Sequence, residues 1–154
     1  MDKNKVENLV NLAIEENTSL FLVDLQINSD NKISVTVDGD QGVPLNECIR
    51  ISRFVENSLD REEEDYSIEV ATPDIAKPLL MKRQYLKNIG RTLKVRTEEK
   101  KYEGELIKAT ENEIELAWQT REQKTVGKGK VTVSHTATLP YEDIKEAKVK
   151  IVFS

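Results

Sequence analysis

Between Asp2 and Asn17 the apolar residues Val6, Leu9, Val10, Ala13 and Ile14 recur at the i, i+3, i+4, i+7, i+8 spacing of a single helix face. The rhythm then changes to alternation. "SLFLVDLQINS" sets Leu20 and Leu22 and, after Val23, Leu25 and Ile27 on the pattern of a strand with one face well buried. "KISVTVD" repeats it with Ile33, Val35 and Val37, and only Ser29, Asp30 and Asn31 separate the two stretches, a short polar connection of the hairpin kind. Beyond the turn-rich "DGDQGVP", Cys48, Ile51, Val55 and Leu59 form a second helical stripe, and "YSIEVA" reads as a third strand. The first half therefore predicts α-β-β-α-β, a small sheet with helices covering a face, in an α+β arrangement.

The second half has a different period. "KRQYLKNIG" predicts a short helix closed by Gly90 as C-cap. "RTLKVRT", "KYEGELIKAT", "NEIELAWQ" and "KVTVSHTATL" follow, each short and mostly alternating, which at this spacing predicts a small barrel or sandwich. Gly104 inside its strand marks a bend or bulge of the sort that closes small barrels. "LPYEDIKEAKVKIVF" starts a helical turn at Pro140 and ends as a last strand. The domain expectation is 1–72, an interdomain segment 73–83, and 84–154.

"EVATPDIAKPLLMKR" joins the halves and holds Pro73 and Pro78. Each proline fixes φ near −65°, lacks an N–H, and disfavours helix in the residue before it. Such a segment works as a stiff spacer. A sharper reading adds recognition by Asp74, Lys77, Lys82 and Arg83.

Charge sharpens the division. The chain of 154 residues carries a net charge of −5, which argues against coating nucleic acid through bulk electrostatics. Residues 1–83 hold 9 Lys+Arg against 17 Asp+Glu, whereas residues 84–154 hold 14 against 11. Opposite signs in the two halves point to surfaces with different partners. "DREEED", residues 60–65, is either part of an acidic docking face or a solvated loop. "REQKTVGKGKV" places Lys124, Lys128 and Lys130 around Gly127 and Gly129, a flexible basic loop suited to phosphates without base reading; an ordinary solvated hairpin loop reads the same way.

Candidate chemistry is sparse. The single cysteine, Cys48, can form no intrachain disulfide and reads as an apolar filler. The single histidine, His135, shares an alternating face with Val131, Val133, Ala137 and Leu139 and reads as a partly buried strand residue. Asp38 and Asp40 in "DGDQG" resemble half a calcium loop, but Ile49 stands where its glutamate belongs. Ser52 lies on a predicted helix with no histidine near it in sequence. Tyr85, Tyr102, Trp118 and Tyr141 are scattered, and Trp118 ends an apolar strand as a core residue would. No catalytic residue, metal site or cofactor is expected. The longest apolar run, Leu20 to Val23, is far short of a membrane span, and no signal peptide is evident, so a cytoplasmic protein with no membrane partner is expected.

In order, "LVDLQI", "GVPLNECIRISRFVENSLD", "YSIEVA" running into "TPDIAKPL", and "LPYEDIKEAKV" resemble the RimP family of bacterial ribosome maturation factors over nearly the whole chain. Where the family pattern has Ser-Ser-Pro-Gly, this chain has Ala71-Thr72-Pro73-Asp74, and Lys77 replaces a usual arginine, keeping the charge but losing the bidentate fork. The resemblance implies a KH-like N-terminal domain and an SH3- or Sm-like C-terminal β-barrel. It further implies a monomeric, non-catalytic factor that binds the free small ribosomal subunit, with ribosomal RNA and a basic small-subunit protein as partners. On that basis Pro73, Asp74, Lys77, Pro78, Lys82 and Arg83 are expected to face the subunit. The alternative is an RNA-binding or protein-interaction adaptor with no preference for ribosomes.

Overall fold

A computed structural model describes residues 1–151. The chain divides into two compact units, Met1–Asp74 and Ile75–Ser154. The first unit runs α1 (Lys3–Glu15), β1 (Leu20–Ile27), β2 (Lys32–Gly39), α2 (Leu45–Ser58) and β3 (Ser67–Ala71), the order the periodicity predicts. Asp2 caps α1 by accepting the Asn4 backbone N–H at 2.9 Å. Val6, Val10, Ala13 and Ile14 of α1 and Cys48, Ile51 and Val55 of α2 are buried, and both stripes are those the 3.6-residue period picks out.

β1 and β2 pair antiparallel from Leu20↔Gly39 to Ile27↔Ile33, and β3 lies parallel to β2 after the α2 crossover. The break in alternation at Val23 has a structural cause: the register shifts between Leu22 and Asp24, a bulge that puts Leu25 back into the core. Asn31, at φ 58°, closes the hairpin turn, a conformation asparagine tolerates better than most residues. Tyr66 and the sheet residues Ile33, Val35 and Val37 complete one core with the two helices. Arg50 ties the helices together at its rim, donating to the Ala13 carbonyl and to Glu16 at 2.8 Å each and to Glu47 at 2.6 Å.

The second unit contains α3 (Lys82–Lys87), β4 (Thr92–Arg96), β5 (Lys101–Ala109), β6 (Glu113–Gln123), β7 (Lys130–Pro140), a 3-10 turn (Tyr141–Asp143) and β8 (Glu146–Val149). The strands form one antiparallel sheet in the order β7-β6-β5-β4-β8. The closed barrel expected from the sequence is not formed: among the described residues β7 and β8 are the two edges. Strand length explains the difference. β6 and β7 have 11 residues each and β8 only 4, so β8 offers β7 too short an edge to pair along its length. The core, with Leu93, Val95, Leu106, Ile114, Leu116 and Leu139, fills the base of the sheet, and the far ends of β6 and β7 continue past it as a two-stranded ribbon.

Two glycine expectations are corrected. Gly90 is not the cap of α3; Asn88 is, and Gly90 at φ +96° instead bends the chain into β4. Gly104 is not bulged but pairs regularly with Leu93, while the irregularity in β5 falls between Leu106 and Lys108. What glycine provides there is space, since a Cβ would stand 2.8 Å from the Ala117 carbonyl oxygen and 3.2 Å from Trp118. The end of the predicted last strand, residues 152–154, lies outside the described residues.

Candidate functional site

The residues of 73–83 fall in both units. Pro73, half-buried, and Asp74, exposed, end the first unit. Lys77 and Pro78 are exposed in the second, and immediately after them the Leu79 N–H donates to the Ala147 carbonyl at 2.8 Å, seating the chain beside β8. The start of α3 is organised by Gln84, which is buried and whose side-chain oxygen accepts the Leu80 and Met81 N–H groups at 2.7 and 3.0 Å. Met81 is the N-cap of α3, so one of the donors that a helix start leaves unpaired is thereby satisfied, together with the Leu80 N–H just before it. Lys82 and Arg83 occupy the first turn that follows.

Lys82 is already engaged. Its ammonium donates to the Glu111 carbonyl and stands 5.2 Å from the centroid of the Tyr141 ring, within cation–π range. Tyr141 in turn packs edge-on against Tyr85, with ring centroids 5.1 Å apart. Burial and the neighbouring Tyr141 push the Tyr85 hydroxyl up to about 12, and burial also raises that of Tyr141. α3 is thus locked onto the sheet through two tyrosines that stay neutral across the physiological range.

The basic loop has the position the sequence gives it. Gln123 and Lys130 are the last pair of the β6–β7 ribbon, and Lys124, Lys128 and Lys130 are all exposed around its tip. Gly127 and Gly129 adopt φ +85° and +97°, so the reversal needs residues free to enter the left-handed region.

In the first unit the acidic run is fixed at several points. The Met1 ammonium lies 2.8 Å from Glu64, whose Oε1 also accepts the Asn31 amide at 3.2 Å. That ammonium hydrogen bond holds the Glu64 carboxyl below the usual glutamate range. Arg61 lies over the Tyr66 ring at 4.8 Å. Glu62 and Glu63 remain exposed between these anchors.

The first-unit residues weighed for catalysis sit at two places, Asp38 and Asp40 at and just past the end of β2, and Cys48 and Ser52 one turn apart on α2. Asp38 is buried at the end of β2 with the Gly39 N–H donating to it, Asp40 belongs to the adjoining turn, and the Ser52 hydroxyl bonds Glu56 on the same helix. Cys48 is a buried free thiol raised by burial and by Glu47. Among the described residues no cluster of His, Cys, Asp or Glu is arranged to hold a metal ion, and no helix is long and apolar enough to cross a membrane. A cleft of about 410 Å³ in the second unit is lined by Glu98, Glu99, Glu142 and Asp143, so that unit is not uniformly basic.

Sequence reasoning missed one constellation. Two of the four aromatic residues it leaves scattered meet on the sheet together with the histidine: Tyr102 meets Trp118 edge-on at 6.0 Å, and Trp118 stacks on His135 at 5.6 Å with the rings 16° from parallel. Only the β6–β7 register, which sets Trp118 opposite His135, reveals it.

With the unit boundary drawn, the charge division becomes steeper. Met1–Asp74 holds 6 Lys+Arg against 17 Asp+Glu, a net of −11, and the remainder holds 17 against 11, a net of +6. These features define an α+β protein of two oppositely charged units whose exposed functional candidates are basic side chains and acidic loops suited to macromolecular partners. A family model described as the RimP N-terminal domain matches residues 9–76. A protein of Christiangramia forsetii named ribosome maturation factor RimP is 57% identical over 99% of this chain and 100% of its own length. Its namesake in Flavobacterium psychrophilum is 48% identical over 98% of both chains, and that of Porphyromonas gingivalis 35% identical over 86% of this chain and 87% of its own. The chain belongs to the RimP family.

Proposed function

We propose that the chain is a ribosome maturation factor that binds the free small ribosomal subunit during assembly and acts without catalytic turnover. The observation that carries this reading is the near-complete coverage of relatives bearing that name, joined to the −11 and +6 division between the units. The acidic unit, KH-like in its order of elements, faces a basic small-subunit ribosomal protein. The basic unit, with an SH3- or Sm-like strand set that stays open, lies against ribosomal RNA. Complementary charge of this kind serves on-rate and selectivity more than raw affinity.

Within this reading Pro73 and Pro78 stiffen the connection, Asp74, Lys77 and Arg83 supply its polar contacts, and Lys124, Lys128 and Lys130 follow phosphates. Lys82 acts chiefly inside its own unit, because its ammonium is held by Glu111 and Tyr141. The protein works as a monomer in the cytoplasm.

Sedimentation of a cell extract through a sucrose gradient, with each fraction probed for the protein, tests the proposal. Enrichment with free small subunits and absence from assembled ribosomes is expected, together with a deficit of mature small subunits in a deletion strain. Protein confined to the top of the gradient, with a normal ribosome profile in the deletion strain, would overturn it.

A further inference from the structure

The β6–β7 ribbon has two faces of opposite character. Residues directly opposite each other in an antiparallel pair share a face, and the register sets Trp118 against His135, Thr120 against Val133 and Glu122 against Val131 on one side. On the other it sets Gln119 against Ser134, Arg121 against Thr132 and Gln123 against Lys130. Burial follows the same alternation. Trp118, Thr120, Val133 and His135 are half-buried, whereas all six residues of the second face are exposed. The aromatic row of Tyr102, Trp118 and His135 belongs to the first side, where Tyr102 and Trp118 pack against the core of the unit. The second side is left to solvent.

The composition of that outer face specifies its ligand. Its six side chains are two cations, two amides and two hydroxyls, with no acid and no aliphatic or aromatic residue among them. Arg121 is held across the ribbon, donating to the Thr132 hydroxyl at 2.9 Å. The register of β5 with β6 runs out at Ala117, opposite Glu105. The acids on this side of the sheet, Glu105, Glu113 and Glu115, therefore lie at or short of the point where the ribbon begins, and Glu103 on β5 is held by Lys150 at 3.2 Å. Lys124 and Lys128 carry the positive charge on around the tip. From Gln119 to Gln123 the face runs about 13 Å at the rise of an antiparallel strand. It offers cations to phosphates and short hydrogen-bonding groups to ribose hydroxyls, and nothing on it can stack on an unpaired base. Duplex RNA displays phosphates and 2′-hydroxyls together across its wide, shallow minor groove.

We propose that the outer face of the β6–β7 ribbon binds the minor groove of duplex RNA: Arg121 and Lys130 meet phosphates while Gln119, Gln123 and Ser134 hydrogen-bond ribose 2′-hydroxyls. The proposal rests on the reading that the second unit lies against RNA, and it adds which face does so and that the RNA contacted is helical.

The full-length protein is titrated with an RNA duplex of about sixteen base pairs, the span of a minor-groove binder. A DNA duplex of the same sequence and one RNA strand alone serve as controls. The RNA duplex should bind most tightly, because the DNA duplex lacks the 2′-hydroxyl. Arg121→Gln should lower the log–log salt slope by about one, the loss of a single phosphate contact. Gln119→Ala/Ser134→Ala should weaken binding to the RNA duplex about tenfold, the loss of two ordinary hydrogen bonds, and leave binding to DNA unaltered. Val131→Thr, on the opposite face, should change neither. Equal affinity for the two duplexes, tighter binding of the single strand or of polyglutamate, or an unaltered salt slope in Arg121→Gln would each overturn the site. Small-subunit cosedimentation without a preference for duplex RNA would remove this face and leave the maturation role standing; the preference without cosedimentation would do the reverse.

Discussion

The two units place their exposed chemistry on different kinds of support. In the first, two helices close over one face of a three-stranded sheet, and the core draws on every element. Its acidic residues decorate the outside of a solid body, and the run at 60–65 is pinned through Glu64 and Arg61. In the second, five strands share a core at one end only, and β6 and β7 run past it. Trp118 still packs against that core, as its place at the end of an apolar strand predicts, and beyond it the same face is left half-covered, where His135, Val133 and Val131 continue the line of Leu139 along β7.

The sharpest way to break that comparison is to truncate one apolar residue of each kind. Ile51 is fully buried between helices and sheet, whereas Val131 is 42% exposed on the ribbon. Ile51→Ala should cost about 2–5 kcal/mol through lost burial and a residual cavity. Val131→Ala should stay within about 0.5 kcal/mol, as surface changes do. Urea unfolding of both variants measures the difference, and equal losses would mean that the ribbon is packed like the first unit.

Gly104→Ala comes next. A Cβ at 2.8 Å from a backbone oxygen forces strands β5 and β6 apart, at about 1–3 kcal/mol, and should shift Trp118 emission along with the unfolding midpoint. A variant with unaltered emission would show that the aromatic row does not depend on this glycine. Gln84→Ala should cost about 1–2 kcal/mol by stranding the Leu80 and Met81 N–H groups, and it should loosen Lys82 and Arg83, which amide hydrogen exchange over 80–83 would reveal.

The smallest effect is confined to alkaline conditions. Tyr85 titrates near 10 when unfolded and at about 12 when folded. Its contribution is therefore complete below pH 10 and is lost as pH rises from 10 towards 12, at no more than about 1.4 kcal/mol per pH unit. Tyr85→Phe should flatten the stability profile over that range and leave it unaltered at pH 7; an equally steep decline in the variant would assign the alkaline sensitivity to another group.

Much of the first unit is legible in the sequence because its signals are local. Both helical stripes lie in continuous segments, the hairpin is separated by three polar residues, and the break at Val23 already marks the bulge. The charge division is legible for the same reason. The second unit is less so, because what decides its form is not local. Closure depended on whether β7 and β8 match in length, and the aromatic row on a register that sets Trp118 opposite His135 across a hairpin. Lys82 shows the same limit: its charge is plain in the sequence, but its capture by the Glu111 carbonyl and the Tyr141 ring comes from residues 29 and 59 positions away.

The claim that the two units meet different partners is tested most directly by binding to purified small subunits as a function of salt. Three forms are compared: the unaltered protein, Lys124→Gln/Lys128→Gln/Lys130→Gln, and Glu62→Lys/Glu63→Lys, the last leaving Glu64 and its anchors in place. The lysine variant should bind more weakly with a log–log salt slope smaller by about two. The glutamate variant should bind more weakly too, but chiefly through a slower on-rate at low salt. Identical affinities and slopes in all three forms would contradict the division of labour between an acidic and a basic unit.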